Sequence, residues 1–563
     1  MDNQRLLLFA ALAFIAMLMW QTWQQDYGPK PVEPQATTGI QMPGSTGSAD
    51  IPQASDGSVP VAVPAGTAVP SATATGSTDV PVRATSLETA QRVSVKTDVF
   101  HVIIDTRGGD IRQLRLPGYP VSQDQPDEPF TLLDDASGKV LYVAQSGLIG
   151  TAAPDHHAIY QAEAASYQLA EGKDKLQVVL NWKDESGVQV AKIYTFTRGS
   201  YNVDIEHRVT NGSEQAWSGR LYRQLQRSLP EESGNRMIYT YTGGVIYSEE
   251  EKYEKIDFSD MEDSTLSRDI KGGWAAMIQH YFVTVWVPVQ DQTNHFYTKV
   301  VNGSRYILGM VGPQASLPAG QTHNFKSIFT AGPKIQDDLG QVATGLDLTV
   351  DYGILTVLAK PLFWLLQKIH SFVGNWGWAI IFLTMLIKLV FYKLSEASYK
   401  SMANMRRMQP RIQTMRERYG NDKTRLNQSM MELYKKEKIN PMGGCLPILV
   451  QIPVFIALYW VLLESVELRQ AGFALWITDL SEMDPYFVLP VIMGASMFIQ
   501  QRLNPTPPDP IQAKVMMMLP FIFTFMFLWF PSGLVLYWVV NNTLSIAQQW
   551  VITRRIEKMA AAK

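Results

Sequence analysis

A lysine inside an apolar run limits what this chain can fold into more than any other feature. Trp376–Tyr392 reads WGWAIIFLTMLIKLVFY, with Lys388 as its charge. The run suits a membrane-crossing helix, where a central charge costs about 2.5–3.5 kcal/mol on insertion scales. A chain that keeps such a charge has water, a partner or a task for it. Later apolar runs place Gln451, Tyr537, Asn541, Asn542, Ser545 and Gln548 at similar depth. A polar lining scattered over several apolar helices predicts a wet cavity within the bilayer. That favours handling of polar cargo over simple anchoring.

The sequence before this run has a different character. The mean hydropathy of −0.06 averages a polar first half with an apolar second half. A formal net charge of −3 gives no global field for nucleic acid, and none is expected as a partner. Cys445 is the one cysteine, so no intramolecular disulfide forms, and it reads as a packing residue. Leu6–Trp23 is long for the core of a secretory signal, and no small-x-small cleavage site follows it. Residues 1–24 therefore read as an uncleaved anchor, with Trp20 and Trp23 at the interface. Residues 25–86, rich in Pro, Ala, Gly, Ser and Thr, cannot bury a core and read as a disordered tether.

From 87 to 348 the pattern has period two. Leu176, Val178, Leu180 and Trp182 alternate with polar residues, Asp184–Gly187 supplies a turn, and Val188–Thr197 follows. Tyr201–Val209 and Tyr281–Val287 repeat the alternation, which predicts a β-sandwich-like domain. Histidines are scattered here without metal-ligand spacing, and no GxxxxGK[ST] occurs in the chain. No metal, no cofactor and no catalytic residue is expected.

Residues 349–371 are amphipathic and read as an interfacial helix, with Pro361 expected to break or kink it. Five spans follow within 372–552: Gly374–Tyr392, Leu446–Leu463, Tyr486–Gln501, Val515–Phe530 and Leu534–Ile552. With the anchor this makes six. Pro531-Ser532-Gly533 predicts a tight helical hairpin between the last two. Lys393–Asn440 is dense in Lys and Arg, whereas Ser465–Asp484 carries Arg469 alone. By the positive-inside rule the basic loop is cytoplasmic, both termini are cytoplasmic, and the β-domain lies outside. Within that loop, 396–440 reads as a helical hairpin with Met402, Met405, Met408 and Met415 on one face. Such a face either touches headgroups or receives variable hydrophobic cargo. A short basic tail, 553–563, ends the chain.

Thr384 and Lys388 share a helix face, and Tyr537, Asn541, Ser545 and Gln548 form a stripe beside Trp538 and Asn542. Converging, these faces and Gln451 line a groove. Alternatively, Lys388 snorkels to headgroups and the amides bond between helices. Periodicity leaves both open.

Four stretches decide more. SFVGNWGWAII (Ser371–Ile381), NPMGGCLPILVQIPVFIALYW (Asn440–Trp460), SVELRQAGFALWITDLSEMDPY (Ser465–Tyr486) and FLWFPSGLVLYW (Phe527–Trp538) resemble the YidC family of bacterial membrane protein insertases, related to those of mitochondria and chloroplasts. KGGWAAMIQHYF (Lys271–Phe282) is similar to the periplasmic domain of Gram-negative members. The resemblance implies a polytopic protein of six transmembrane helices. Five of them form a core with a hydrophilic groove, open to cytoplasm and lipid. It implies one positive residue in the first core helix, usually arginine and here Lys388, and groove contacts at Thr384, Gln451 and Trp538, the last often tyrosine. Implied partners are nascent membrane proteins, the Sec translocon with its accessory subunits, ribosomes with targeting factors, and lipids of the inner membrane. The alternative is a secondary transporter or channel for a small anion, which predicts internal repeats; none is visible.

Overall fold

A computed structural model describes residues 87–136, 140–230, 240–419, 422–437, 446–504 and 510–561. The predicted anchor, the tether and Cys445 lie outside the described residues. The chain divides into two compact units that part after Val350.

The first unit is built from two β-sheets, with eleven and nine strands among the described residues. Period-two alternation is realised as expected. Lys175–Lys183 pairs antiparallel with Val188–Thr197, Leu176 opposite Phe196 and Trp182 opposite Val190. Asn202–Asn211 extends the sheet from Val188–Thr197 and is paired in turn by Thr322–Pro333. Val178, Leu180, Val203 and Ile205 of this sheet share a core with Val93, Val102, Leu225 and Leu308 of the other. Phe282–Pro288 is instead buried along its whole length. Phe282 and Trp286 face the inter-sheet core, while Val283, Val285 and Val287 face a second core that includes Leu339 of the short helix Gln336–Val342. A helix laid on the outer face of a sheet removes the usual need for polar residues there.

Lys192 and His207 are among the charge-bearing side chains buried in this unit. They are cross-strand partners, both 0 % exposed. Lys192 donates to the carbonyls of Gly108 (2.9 Å) and Ser146 (2.8 Å), tying one sheet to the backbone of the other. Burial pulls its pKa down to about 8, against the attraction of Asp110. His207 has no partner for either ring nitrogen among the described residues. Burial, then Lys192 and Arg223, hold its pKa well below the usual imidazole value.

The second unit is helical. Its elements are α1 (Thr356–Val373), α2 (Trp376–Val390), α3 (Tyr392–Tyr419), α4 (Lys423–Lys436), α5 (Leu446–Glu464), α6 (Val488–Leu503), α7 (Pro510–Met526) and α8 (Ser532–Ala561). α1 is continuous across Pro361, so of the expected break or kink the break does not occur. The ring stands one turn into the helix, where only the carbonyl of Val357 loses a partner. α1 buries Ala359, Phe363 and Leu366 against the unit and leaves Val357, Trp364 and Phe372 exposed. α3 and α4 form a hairpin around Met408, Ile412, Met430 and Leu433. α8 runs on to Ala561, so the predicted tail continues the helix.

No single described helix is long and apolar enough to cross a membrane; α2 and α3 pass together, bent by 67°. The expected span Gly374–Tyr392 stops at Val390, and the chain turns at Phe391 before α3 begins. α2, α6 and α7 have 15, 16 and 17 residues, about 22–26 Å at helical rise, against about 30 Å of hydrocarbon. The last two helices are joined by the expected short turn, with Phe523 of α7 5.8 Å from the Trp538 ring of α8. α7 packs chiefly against α6, where Gly494 admits the Thr524 side chain.

His207 sets an acid limit on the β-unit. Its folded pKa is depressed, so below about 6.5 the unfolded chain binds a proton that the folded chain excludes. Its contribution is present above that pH and is lost as pH falls toward the folded value. The slope reaches at most about 1.4 kcal/mol per pH unit. Denaturant unfolding followed by tryptophan fluorescence between pH 7 and 5 is expected to show this slope, and His207→Phe to flatten it.

Candidate functional site

The polar residues of the apolar helices converge. α2, α3, α5, α6, α7 and α8 surround a cavity of about 410 Å³, room for about fourteen waters at about 30 Å³ each. Its lining includes the polar residues Lys388, Gln451, Asn541, Asn542 and Ser545 and the apolar residues Met402, Phe455, Met497, Met516 and Leu519. α7 supplies Met516, Leu519 and Pro520 to the lining.

Lys388 is 7 % exposed, so its stem does not reach out of the unit. Its ammonium donates to Ser545 Oγ at 2.7 Å and faces Gln451 Oε1 at 3.5 Å. Gln451 donates from Nε2 to Asn541 Oδ1, which turns its carbonyl oxygen toward Lys388. Ser545 donates to the carbonyl of Asn541 (2.7 Å). Asn542 donates to Ser496 Oγ (3.1 Å), linking α8 to α6. Among the described residues no carboxylate pairs with Lys388. Every oxygen about the ammonium is neutral, so its charge is solvated but not cancelled.

One end of the unit is closed. Asn375 caps α2 by accepting from Trp378 N (3.1 Å) and donates to the carbonyls of Gly472 (3.2 Å) and Phe473 (3.1 Å). Gly377 leaves room for the Phe473 ring, which a Cβ would meet at 2.0 Å. Ser532 N and Gly533 N donate to Glu482 O (2.7 Å) and Leu480 O (2.9 Å), pinning the start of α8 to the 465–487 segment. Buried Asp484 accepts from Trp476 Nε1 (2.9 Å), Tyr486 N (3.0 Å) and Leu489 N (2.6 Å). Behind this cap the Trp538 ring packs edge-on to Phe455 (4.6 Å) and Phe527 (4.9 Å). Tyr537 stacks on Phe455.

Of the residues expected from sequence, Lys388, Gln451, Tyr537, Trp538, Asn541, Asn542 and Met402 line the cavity. Thr384 does not: it is buried, and its hydroxyl donates to Ile380 O within α2 (2.7 Å). Met408 lies in the core of the α3–α4 hairpin with Met415 packed on it, and Met405 is half-buried. These two hold the hairpin together, as an apolar stripe at helical spacing commonly does. Sequence reasoning missed Gln500, Gln501 and Asn504, which line the cavity from the end of α6. Their signal was three polar side chains at helical spacing closing an apolar run.

The chain combines a large β-rich unit with a helical unit whose cavity is lined by polar and apolar residues around a buried lysine. Known proteins supply the class. Residues 92–365 match the YidC periplasmic domain family, and residues 368–559 match the 60Kd inner membrane protein family. The membrane protein insertase YidC of Methylococcus capsulatus is 54 % identical, with 100 % of both chains covered. That of Azotobacter vinelandii is 51 % identical, again over 100 % of both. A crystal structure of an active YidC insertase is similar at 18 % identity and a TM-score of 0.38, covering 82 % of this chain and 93 % of its own. The chain belongs to the YidC family of membrane protein insertases. Its β-rich unit is the periplasmic domain, and its helical unit is the membrane region. The relatives give no support to a transporter or channel.

The fit of Phe473 over Gly377 is testable. Gly377→Ala is expected to cost about 1–3 kcal/mol by overpacking, read as earlier thermal unfolding in detergent. Combined with Phe473→Ala, the loss should be smaller than the sum of the two single losses, because the ring is what the added methyl strikes.

Proposed function

We propose that the cavity is the passage by which the hydrophilic end of a nascent membrane segment crosses the inner membrane. The neutral-oxygen setting of the Lys388 ammonium carries this reading. A charge that is solvated by neutral groups but not neutralised attracts an acidic group and releases it again. The apolar lining, rich in methionine, adapts to cargo of different shape.

On this reading the protein has six spans, with both termini and the α3–α4 hairpin in the cytoplasm, and the 465–487 cap facing the periplasm. Cargo enters from the hairpin side, its polar end moves up the cavity, and its apolar part leaves into lipid. Helices of about 22–26 Å thin the bilayer around them and shorten the polar path. Hydrophobic partition of the cargo supplies the main driving force. The membrane potential adds about 2.3 kcal/mol per 100 mV for each acidic group moved outward. The exposed apolar face of α1 lies at the membrane interface. The basic end of α8, with Arg554, Arg555 and Lys558, offers a modest contact for ribosomes. The Sec translocon is a partner for larger cargo.

The test is reconstitution in liposomes with a single-span substrate bearing an acidic N-terminal segment, insertion being read by protease protection. Lys388→Ala and Lys388→Glu are expected to lower insertion at least tenfold, and Lys388→Arg to keep most of it. Equal insertion by all four proteins would remove the charge from the mechanism.

A further inference from the structure

We infer that Ser545 is a positioning residue, which sets the cargo preference of Lys388 by holding its ammonium without neutralising it. The inference rests on the cavity reading above and adds a residue that the resemblance did not assign.

The hydroxyl of Ser545 is used by its own helix, by Lys388 and by Tyr399 of α3, which lines the same cavity. Its proton goes to the carbonyl of Asn541, one turn back in α8 (2.7 Å). Its lone pairs are thereby left to face the cavity, and Lys388 Nζ sits on them at 2.7 Å. Ser545 therefore acts on the ammonium as an acceptor only. Gln451 is constrained in the same sense. Its amide nitrogen is held by Asn541, so its oxygen points toward Nζ at 3.5 Å. Asn541 thus orients both acceptors, one through its carbonyl and one through its side chain. Ser545 makes the short contact and Gln451 the long one, so the position of Nζ is set chiefly by Ser545.

An ammonium has three donors, and two are directed at these oxygens. Among the described residues nothing takes the third, which is left for cargo on a lysine that lines the cavity. A carboxylate at the position of Ser545 would hold Nζ as firmly but cancel its charge. A methyl group would leave the charge and let the flexible lysine stem move away from the cavity. Serine and threonine both meet the requirement, because both carry a hydroxyl that can bond one turn back in a helix.

The experiment uses the full-length protein in liposomes. It compares two cargoes that differ only in an acidic N-terminal tail and its amide counterpart, with Asp and Glu replaced by Asn and Gln. The quantity read is the ratio of their initial insertion rates. Ser545→Thr is expected to keep the wild-type ratio. Ser545→Ala should lower it about threefold to fivefold, and Ser545→Asp about tenfold, close to the value for Lys388→Ala. If Ser545→Ala and Ser545→Asp slow both cargoes by the same factor and leave the ratio at the wild-type value, Ser545 is merely a packing residue and the inference is overturned. If Lys388→Ala itself leaves the ratio unchanged, the cargo role of the lysine fails, and with it the reading on which this inference stands.

Discussion

A buried ammonium surrounded by neutral oxygens sets the terms for the helical unit. Taking a charge out of water without a counter-ion is costly, and here the cost is met by three helices at once. α2 brings the lysine, α5 brings Gln451, and α8 brings Ser545 and Asn541. Those helices must therefore converge at one depth. α7 packs chiefly on α6, where Gly494 admits the Thr524 side chain. On the proposed reading the far end is sealed, because a wet cavity open at both ends would be a pore. The Asn375, Asp484 and Ser532 bonds, with the aromatic cluster around Trp538, provide that seal.

The β-unit contains the same side chain under opposite terms. Lys192 is more deeply buried than Lys388, yet it faces no cavity. Two backbone carbonyls fix its nitrogen, and the ring of Tyr194 lies 5.7 Å away. Two of its donors go to the join between two sheets and burial closes off the third, which makes it structural. Lys388 differs in having a side-chain acceptor, a distant second one and open volume beside them. Burial alone does not distinguish a working charge from a structural one. The distinction lies in whether anything can reach the donor left over.

Much of this was legible in sequence. Alternation at Leu176–Trp182 and Tyr201–Val209 gave the strands because one face of each meets the inter-sheet core and the other meets solvent. Tyr281–Val287 showed the same alternation, but the covering helix that makes its other face apolar is set by tertiary packing. The polar stripe of α8 and the charge in α2 were visible as exceptions to apolar runs. Their meeting was not, since periodicity gives the face of a helix and not its neighbour. Thr384 illustrates this: it shares a helix face with Lys388, yet its hydroxyl is spent on its own backbone. The hairpin methionines illustrate the reverse, since a stripe at helical spacing reads alike whether it awaits cargo or packs on its partner helix. The packing of α7 chiefly on α6 had no sequence signal, because the turn that joins α7 to α8 does not specify its other neighbours.

Magnitudes explain why such a device can work without a nucleotide. Burying a leucine or phenylalanine side chain is worth about 1.5–3 kcal/mol, and carrying one charge to the bilayer centre costs about 2.5–3.5 kcal/mol on insertion scales. Two such side chains of a cargo helix already offset one acidic group of its tail, and a typical span holds many more. Insertion is therefore downhill for the complete segment, and the obstacle is the order of events, because the polar end must enter before the apolar part is buried. On the proposed reading the protein acts on that obstacle alone. A water-filled recess lowers the early cost, and an uncancelled charge meets the acidic end. Short helices then reduce the distance still to be crossed. A stronger site for the acidic end, such as a second cation or a rigid bidentate clamp, would hold the cargo at the stage where it must move on. Neutral oxygens around a single flexible lysine avoid that trap.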